Sequence, residues 1–331
     1  MNYAKSDAKA ASRAAFRGIV AAVTTPFNED LSVDEAGIRH NMRHLTQNLK
    51  VDGVFCTGVM GEFWSLTKEE RKRVVELVCE EAKGRCIVIA HTGHHSAHET
   101  IELTKHAEKA GADFAILMTP YYPTASESSI FEWFKYVADR VDIGIWMFDT
   151  PFSGTQQLSP EVTARIAGLV NICGAKIARP VEHYAAVRNL VGDSIVLSSP
   201  IEGEFLNMIR DQGQRVHQSS ASPYLLQSAA RQPIRAYAEL ALAGKFADAQ
   251  SISDSLKAAR AIGRKWTVEP FHRHKLIPIA AIKAWSELRG MAGGPVRPPL
   301  PQLTSAERAE LRADVEATGI LDDEARQSAA E

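Results

Sequence analysis

No apolar run in this chain approaches the ~18 residues that a membrane-spanning helix needs. The start, Met1 to Arg17, mixes Lys, Asp, Ser and Ala without the apolar centre of a secretory signal, and reads as a frayed or helical extension. Cysteine is scarce: Cys56, Cys79, Cys86 and Cys173 are the whole complement, and no two make a Cys-x-x-Cys pair. That argues against a disulfide scaffold and suits thiols used as small buried apolar groups in a reducing compartment, with the cytoplasm the expected location. Excess charge of either sign is missing too. A formal net charge of −2, with basic residues scattered along the chain, gives no reason to expect nucleic acid or a membrane as partner. No Gly-x-Gly-x-x-Gly follows the first expected strand, which argues against a dinucleotide fold.

What the chain has is 45% hydrophobic against 24% charged residues, enough to bury a sizeable core over 331 residues. From Gly18 onward, short apolar runs alternate with segments of helical period. The strands read as Ile19–Thr25, Gly53–Thr57, Cys86–His91, Phe114–Met118, Ile143–Phe148, Ile172–Lys176, Ser194–Ser198 and Val216–Ser219. Among the helices, Ser32–Asn48 takes Ser32 as N-cap with Glu35 completing a capping box, and Lys68–Lys83 takes Thr67 as its cap. Strand–helix units at roughly 25–30-residue spacing predict an α/β fold, a (β/α)8 TIM barrel over 16–222. An extension, 1–15, precedes it, and a C-terminal helical appendage, 223–331, follows with Ile234–Leu242, Phe246–Ile262, Leu276–Leu288 and Thr304–Glu316.

In such a barrel, catalytic groups sit at the C-terminal ends of the strands. Lys176 ends the sixth strand, where burial disfavours the ammonium form and leaves an amine able to attack a carbonyl. Gly58-Val59-Met60-Gly61-Glu62 follows the second strand, a tight turn whose N–H groups can converge on an anion. Tyr122 follows the fourth strand and offers a phenol for proton transfer. Near the last strands lie Glu202 and His217; His217 and Gln218 alternate, so one of them faces the lumen. His91, His94, His95 and His98 form a histidine-rich loop, but adjacent His94 and His95 suit one metal poorly, and neither metal nor organic cofactor is expected. Arg179 is placed to pair with a carboxylate or to depress the lysine pKa.

At these residues the chain resembles the dihydrodipicolinate synthase and N-acetylneuraminate lyase family of Schiff-base aldolases. The markers are Val23-Thr24-Thr25-Pro26-Phe27, the Gly58–Glu62 turn, the run Ile101 to Asp113, Thr119-Pro120-Tyr121-Tyr122 and Gly174-Ala175-Lys176, covering about Phe16 to Leu321. The resemblance implies an imine between Lys176 and the ketone of pyruvate or another 2-oxo acid, a proton-relay role for Tyr122, and a substrate carboxylate on Gly58, Val59, Met60 and Gly61. It also makes a homo-oligomer, dimer or tetramer, the expected state. The departures bear on substrate. Val59 and Met60 stand where the family has hydroxyl residues, and Phe148-Asp149-Thr150-Pro151 replaces Tyr-Asn-x-Pro, followed by Phe152-Ser153-Gly154-Thr155. The basic residue that often follows Pro-Tyr-Tyr is missing from Pro123-Thr124-Ala125-Ser126.

The leading expectation is therefore a class I lyase or aldolase joining or separating a 2-oxo acid and an aldehyde of apolar character. One alternative is a 2-oxo-3-deoxy sugar acid dehydratase using the same imine, with Glu202 and His217 contacting the polyol. A second is a barrel that binds small molecules without turnover.

Overall fold

The computed structural model describes residues 2–122, 126–151 and 156–321. The stretches 123–125 and 152–155, which include most of the substrate-related departures after Tyr122 and Pro151, lie outside the described residues. The strands are β1 Gly18–Ala22, β2 Gly53–Cys56, β3 Ile87–His91, β4 Phe114–Met118, β5 Gly144–Asp149, β6 Ile172–Ile177, β7 Val196–Ser198 and β8 Val216–Ser220. The barrel helices are α1 Ala8–Ala15, α2 Glu35–Arg43, α3 Lys68–Ala82, α4 Ala97–Ala110, α5 Glu127–Ala138, α6 Pro160–Ala167, α7 Val181–Val191 and α8 Phe205–Gln212. Strand order is β7-β6-β5-β4-β3-β2-β1-β8, with every paired neighbour parallel. Between β7 and β8 a side chain closes the ring: the Ser198 hydroxyl donates to Val216 O at 2.9 Å and accepts from Gln218 N at 2.8 Å. The (β/α)8 barrel expected from the alternation is the observed fold.

Strand period two sorts the core into two layers. Val20, Phe55, Ile89, Ile116, Phe148 and Val216 share the cluster that fills the lumen. Their neighbours Ile19, Val54, Leu117, Met147 and Leu197 belong to the cluster under the helices. Caps set several helix starts. Thr67 caps α3, as its sequence predicts, and Glu70 completes a capping box there. The cap expected at Ser32 is instead Asp34, whose carboxylate accepts from Gly37 N at 2.8 Å. The reason is that Val33 still pairs with Phe27 in a β-bridge, so the chain cannot turn helical before Asp34.

The N-terminal extension is a floor to the barrel. Phe16 packs on Trp146 at 4.2 Å between ring centroids, and the indole N–H donates to Ser12 Oγ at 3.2 Å. Gly174 of β6 must lack a side chain there, because a Cβ would sit 2.2 Å from the Trp146 ring.

Beyond the barrel run α9 Ser222–Leu225, α10 Pro233–Leu242, α11 Phe246–Asp254, α12 Lys257–Thr267, α13 Glu269–His274, α14 Ile279–Leu288 and α15 Ser305–Glu316. The single helix expected over Phe246–Ile262 is two, α11 and α12, broken by a turn at Ser255 and Leu256. The appendage is tied to the barrel mouth by a fully buried ion pair, Lys283 Nζ to Glu62 Oε1 at 2.6 Å. Glu62 also accepts from Arg297 N at 3.0 Å, and Lys283 donates to Pro295 O at 2.7 Å.

Removing one member of a buried pair strands the other charge, whereas removing both costs far less. Lys283→Met is therefore expected to lower stability by about 3–5 kcal/mol, and Glu62→Gln with Lys283→Met to recover most of that loss. Urea unfolding of the single and double variants measures both; equal losses would remove the pair from this role.

Candidate active site

Lys176 is the centre of the mouth. Alternation along β6 puts Gly174 and Lys176 on the lumen side, between Ala175 and Ile177 of the outer layer. The side chain is buried and its Nζ donates to Ser219 Oγ at 3.3 Å. Two ring faces wall it: Phe148, its register partner on β5, at 4.3 Å and Phe55 at 4.7 Å. Burial is the one cause of its pKa shift, pushing it from 10.5 down to about 7. That corresponds to roughly 5 kcal/mol against the ammonium, more than the about 0.5–2 kcal/mol that ring faces return to a cation. The geometry keeps a neutral amine available near pH 7.

The Gly58–Gly61 turn is one phenyl ring away. Gly58 lies so close to Phe55 that a Cβ would meet the ring at 2.4 Å. Within the turn, Gly61 N and Phe63 N donate to Gly58 O, and Glu62 N donates to Val59 O. Thr25 Oγ1 donates to Gly61 O at 2.9 Å and holds the outer strand of the turn. The N–H groups of Val59 and Met60 have no partner among the described residues and are the ones left for an anion. Glu62 takes φ +53, a left-handed conformation that a non-glycine residue holds here because its carboxylate is anchored on Lys283 and Arg297.

Next to the turn is a cavity of about 430 Å³ lined by Val59, Phe63, Trp64, Tyr121, Leu276 and Ile277, with Lys275, Pro299 and Leu300 completing it. Phe63 and Val59 share the lumen cluster with Phe55 and Phe148, so apolar surface runs continuously from the amine to this cavity.

Other expected site residues lie elsewhere. Tyr122 is 77% exposed, and the half-buried phenol of the pair is Tyr121, stacked edge-on to Phe63. His217 points outward. Val216 faces the lumen, so His217 turns to the helix side, where Nε2 meets Ser220 Oγ at 2.8 Å and the ring packs on Phe205. Burial drives its pKa down to about 4, and it is a neutral wall residue. The Glu202 carboxylate is engaged by Arg260, at 2.9 and 2.7 Å, and by the Tyr237 hydroxyl at 2.8 Å. It joins the barrel to the appendage and has no lumen role. Arg179 is likewise committed, to Asp149 at 2.6 Å, and does not contribute to the Lys176 shift.

The histidine loop disperses as well. His91 bonds Thr57 O, His95 meets the Tyr121 hydroxyl and His98 packs on Tyr136. Among the described residues, no group of three potential metal ligands converges. No described helix is long and apolar enough to cross a membrane. Sequence reasoning missed Phe55, Phe148 and Ser219 as the walls of the amine. The parity of β2 and β5 relative to Lys176 was the available clue for the two rings.

The neutral fraction of Lys176 sets how fast it condenses with a carbonyl. Since the shift is downward, the condensation rate should rise as pH increases through about 7 and level off above, instead of climbing toward 10.5. Rates of borohydride-trapped adduct formation at Lys176 across pH 5.5–9.5, an interval of about four units, give the midpoint. A midpoint near 10 would contradict the buried amine.

The chain matches the model of the dihydrodipicolinate synthetase family over residues 15–318. Among curated relatives, the 4-hydroxy-tetrahydrodipicolinate synthase of Methanothrix thermoacetophila is 42% identical over 165 residues, 49% of this chain and 54% of the relative. That of Methylobacterium radiotolerans is 33% identical over 241 residues, 72% of this chain and 78% of the relative. Several of these alignments thus span only about half of the relative's length. Solved structures superpose more fully. Dihydrodipicolinate synthase from Aquifex aeolicus matches with a TM-score of 0.81 at 26% identity, covering 92% of this chain and 99% of that one. YagE, a prophage protein of the same family from E. coli K12 in complex with pyruvate, gives 0.81 at 27%, again covering 92% and 99%. With a family match across the barrel and its helical tail, this chain belongs to the dihydrodipicolinate synthetase family.

Proposed function

We propose that the protein is an imine-forming lyase or aldolase, acting on pyruvate or a close 2-oxo acid together with an aldehyde partner. The observation that carries the reading is the buried amine of Lys176, kept neutral by desolvation alone. Its lone pair adds to the ketone carbon, the ketone oxygen leaves as water, and the protonated imine becomes an electron sink. As the C4 hydroxyl loses its proton and becomes the aldehyde carbonyl, the bond between C3 and C4 breaks and its electron pair moves into the imine, giving an enamine that takes a proton at C3. Run backwards, the enamine adds to the aldehyde. The protonated imine does the work of a Lewis acid, so the step calls on no metal.

The substrate carboxylate is assigned to the turn, where the N–H groups of Val59 and Met60 have no partner among the described residues. Val59, Phe63, Trp64, Leu276 and Ile277 give the cavity an apolar wall that suits an aldehyde with an apolar body, and Lys275, the cation of its lining, is solvent-exposed. The sugar acid dehydratase reading loses its expected polyol contacts, because Glu202 is held by Arg260 and His217 faces away from the lumen.

The proton-relay role of Tyr122 is part of the proposal and carries a condition. The phenol is 77% exposed in the single chain and must turn inward to reach the amine, and a homo-oligomer packed at the barrel mouth would cover it in that position.

With pyruvate and borohydride, Lys176 should carry one reduced pyruvyl group by peptide mass spectrometry, and Lys176→Ala should lose both label and turnover. Labelling of the variant at the wild-type level would end the assignment. Across an aldehyde panel, kcat/KM should favour an aromatic or aliphatic body over a dicarboxylate product by about 50-fold or more, the scale of ~100 Å² of apolar burial; the reverse preference would restore a synthase-like pocket. Tyr122→Phe should lower kcat about 100-fold with little change in KM, and wild-type protein should sediment as an oligomer. Near-normal kcat would return Tyr122 to the surface.

A further inference from the structure

We propose that Gln218 is a second substrate-contacting residue of this site. Its carboxamide holds the hydroxyl that the ketone oxygen becomes when Lys176 adds to a 2-oxo acid. The proposal rests on the imine reading of Lys176.

Three observations place the side chain. Along β8, Val216 faces the lumen, so Gln218 faces it too; its register partner Val20 on β1 is also a lumen residue. In height, Lys176 is the register partner of Ser198, and the Ser198 hydroxyl accepts from Gln218 N at 2.8 Å. Lys176, Ser198 and Gln218 thus share one level of the barrel. The amine itself touches the next residue, with Nζ 3.3 Å from Ser219 Oγ.

The backbone of Gln218 is satisfied, but its side chain is not. Gln218 is fully buried, and neither Oε1 nor Nε2 has a hydrogen-bond partner among the described residues. Gln214, a few residues earlier, shows what a structural glutamine looks like in this wall. Its Nε2 donates to Val216 O at 2.9 Å and Ser199 O at 3.1 Å, and its Oε1 accepts from Ser199 N at 2.9 Å. A buried amide with no bonds is costly, and the neighbouring lumen positions Val20, Ala22 and Val216 are apolar. Packing alone would favour an apolar residue here.

The chemistry of the amide selects its ligand. It presents a donor and an acceptor together, which matches a group that also both accepts and donates, a hydroxyl. A carboxylate or a ketone uses only the N–H and faces the amide oxygen with like partial charge. Such a hydroxyl forms next to Nζ. The Nζ lone pair bonds the ketone carbon, the carbonyl π pair moves to oxygen, and that oxygen takes the proton released from nitrogen. The nitrogen lone pair then makes the second C–N bond while the hydroxide departs and takes a proton from solvent to become water. Gln218 gives up no proton in either step; it orients and steadies the hydroxyl between them.

Exchange of the pyruvate ketone oxygen with 18O-labelled water tests this in the full-length protein, with no aldehyde and no other substrate hydroxyl present. Exchange requires the amine to add, release water and reverse, and is read by mass spectrometry against the uncatalysed background. Wild type should exceed background, and Lys176→Ala should fall to it. Gln218→Met, similar in shape, should slow exchange about tenfold or more while unfolding at or above the wild-type midpoint, since it removes an unsatisfied buried amide. Gln218→Asn, one methylene short, should show the same slowing should the Met variant fold poorly. The pH midpoint for trapping at Lys176 should stay in place in either variant, because the amine's hydrogen bond is to Ser219 and the Gln218 amide makes none to it. Wild-type exchange by both Gln218 variants overturns the proposal, as does a moved Lys176 midpoint, which would make the residue a mere prop for the lysine. Should wild type match background, or Lys176→Ala match wild type, the imine reading fails first.

Discussion

Everything at the mouth of this barrel depends on keeping one lysine dry. An ammonium in water keeps its proton at neutral pH, and Lys176 holds its own far less firmly because strand β6 carries it into a lumen walled by Phe55 and Phe148. The cost of that burial is met by the packing around it. Phe16 and Trp146 seal the floor, Gly174 gives way to the indole, and Phe148 lies opposite the lysine because the two share a register. A barrel interior that is a packed core, not a pore, makes the amine chemically useful.

The helical appendage is part of the same construction. The turn after β2 has little to fix it from within, since its internal bonds involve only Gly58 O and Val59 O as acceptors. It is held from outside, by Thr25 at one end and by Lys283 and Arg297 of the appendage at Glu62. Arg297 in turn spreads its guanidinium over Leu31 O, Ser65 O and the Glu70 carboxylate, binding the turn to the capped start of α3. Barrel and appendage meet where the substrate carboxylate is expected.

Several polar residues that look functional are spent on architecture, for one physical reason. A charge at a barrel rim is inexpensive only when paired. Glu202 is paired with Arg260, Arg179 with Asp149, and His217 remains neutral against Phe205. Gln218 is the contrast, a buried polar side chain that the described residues leave without partners, one position before the Ser219 that meets the amine.

The fold was legible in the sequence because it follows from local rules. Alternating short apolar runs and helical periods define a (β/α)8 barrel, the Thr67 cap is readable just before its helix, and a lysine after Gly174-Ala175 announces itself. Legibility ended where an answer depended on parity or on a distant partner. Whether His217 or Gln218 faced the lumen turned on the exact phase of β8 against β1, and a one-residue shift reverses it. The helix cap moved from Ser32 to Asp34 because Phe27 holds Val33 extended. Glu202 read as a substrate contact because Arg260, 58 positions away, is invisible from its neighbourhood in the chain. The sequence alone determined the barrel, the lysine at the end of β6 and the turn after β2. Only the tertiary structure decided which side chains share the lumen with Lys176, since that depends on how strands far apart in the chain set their register around a common axis.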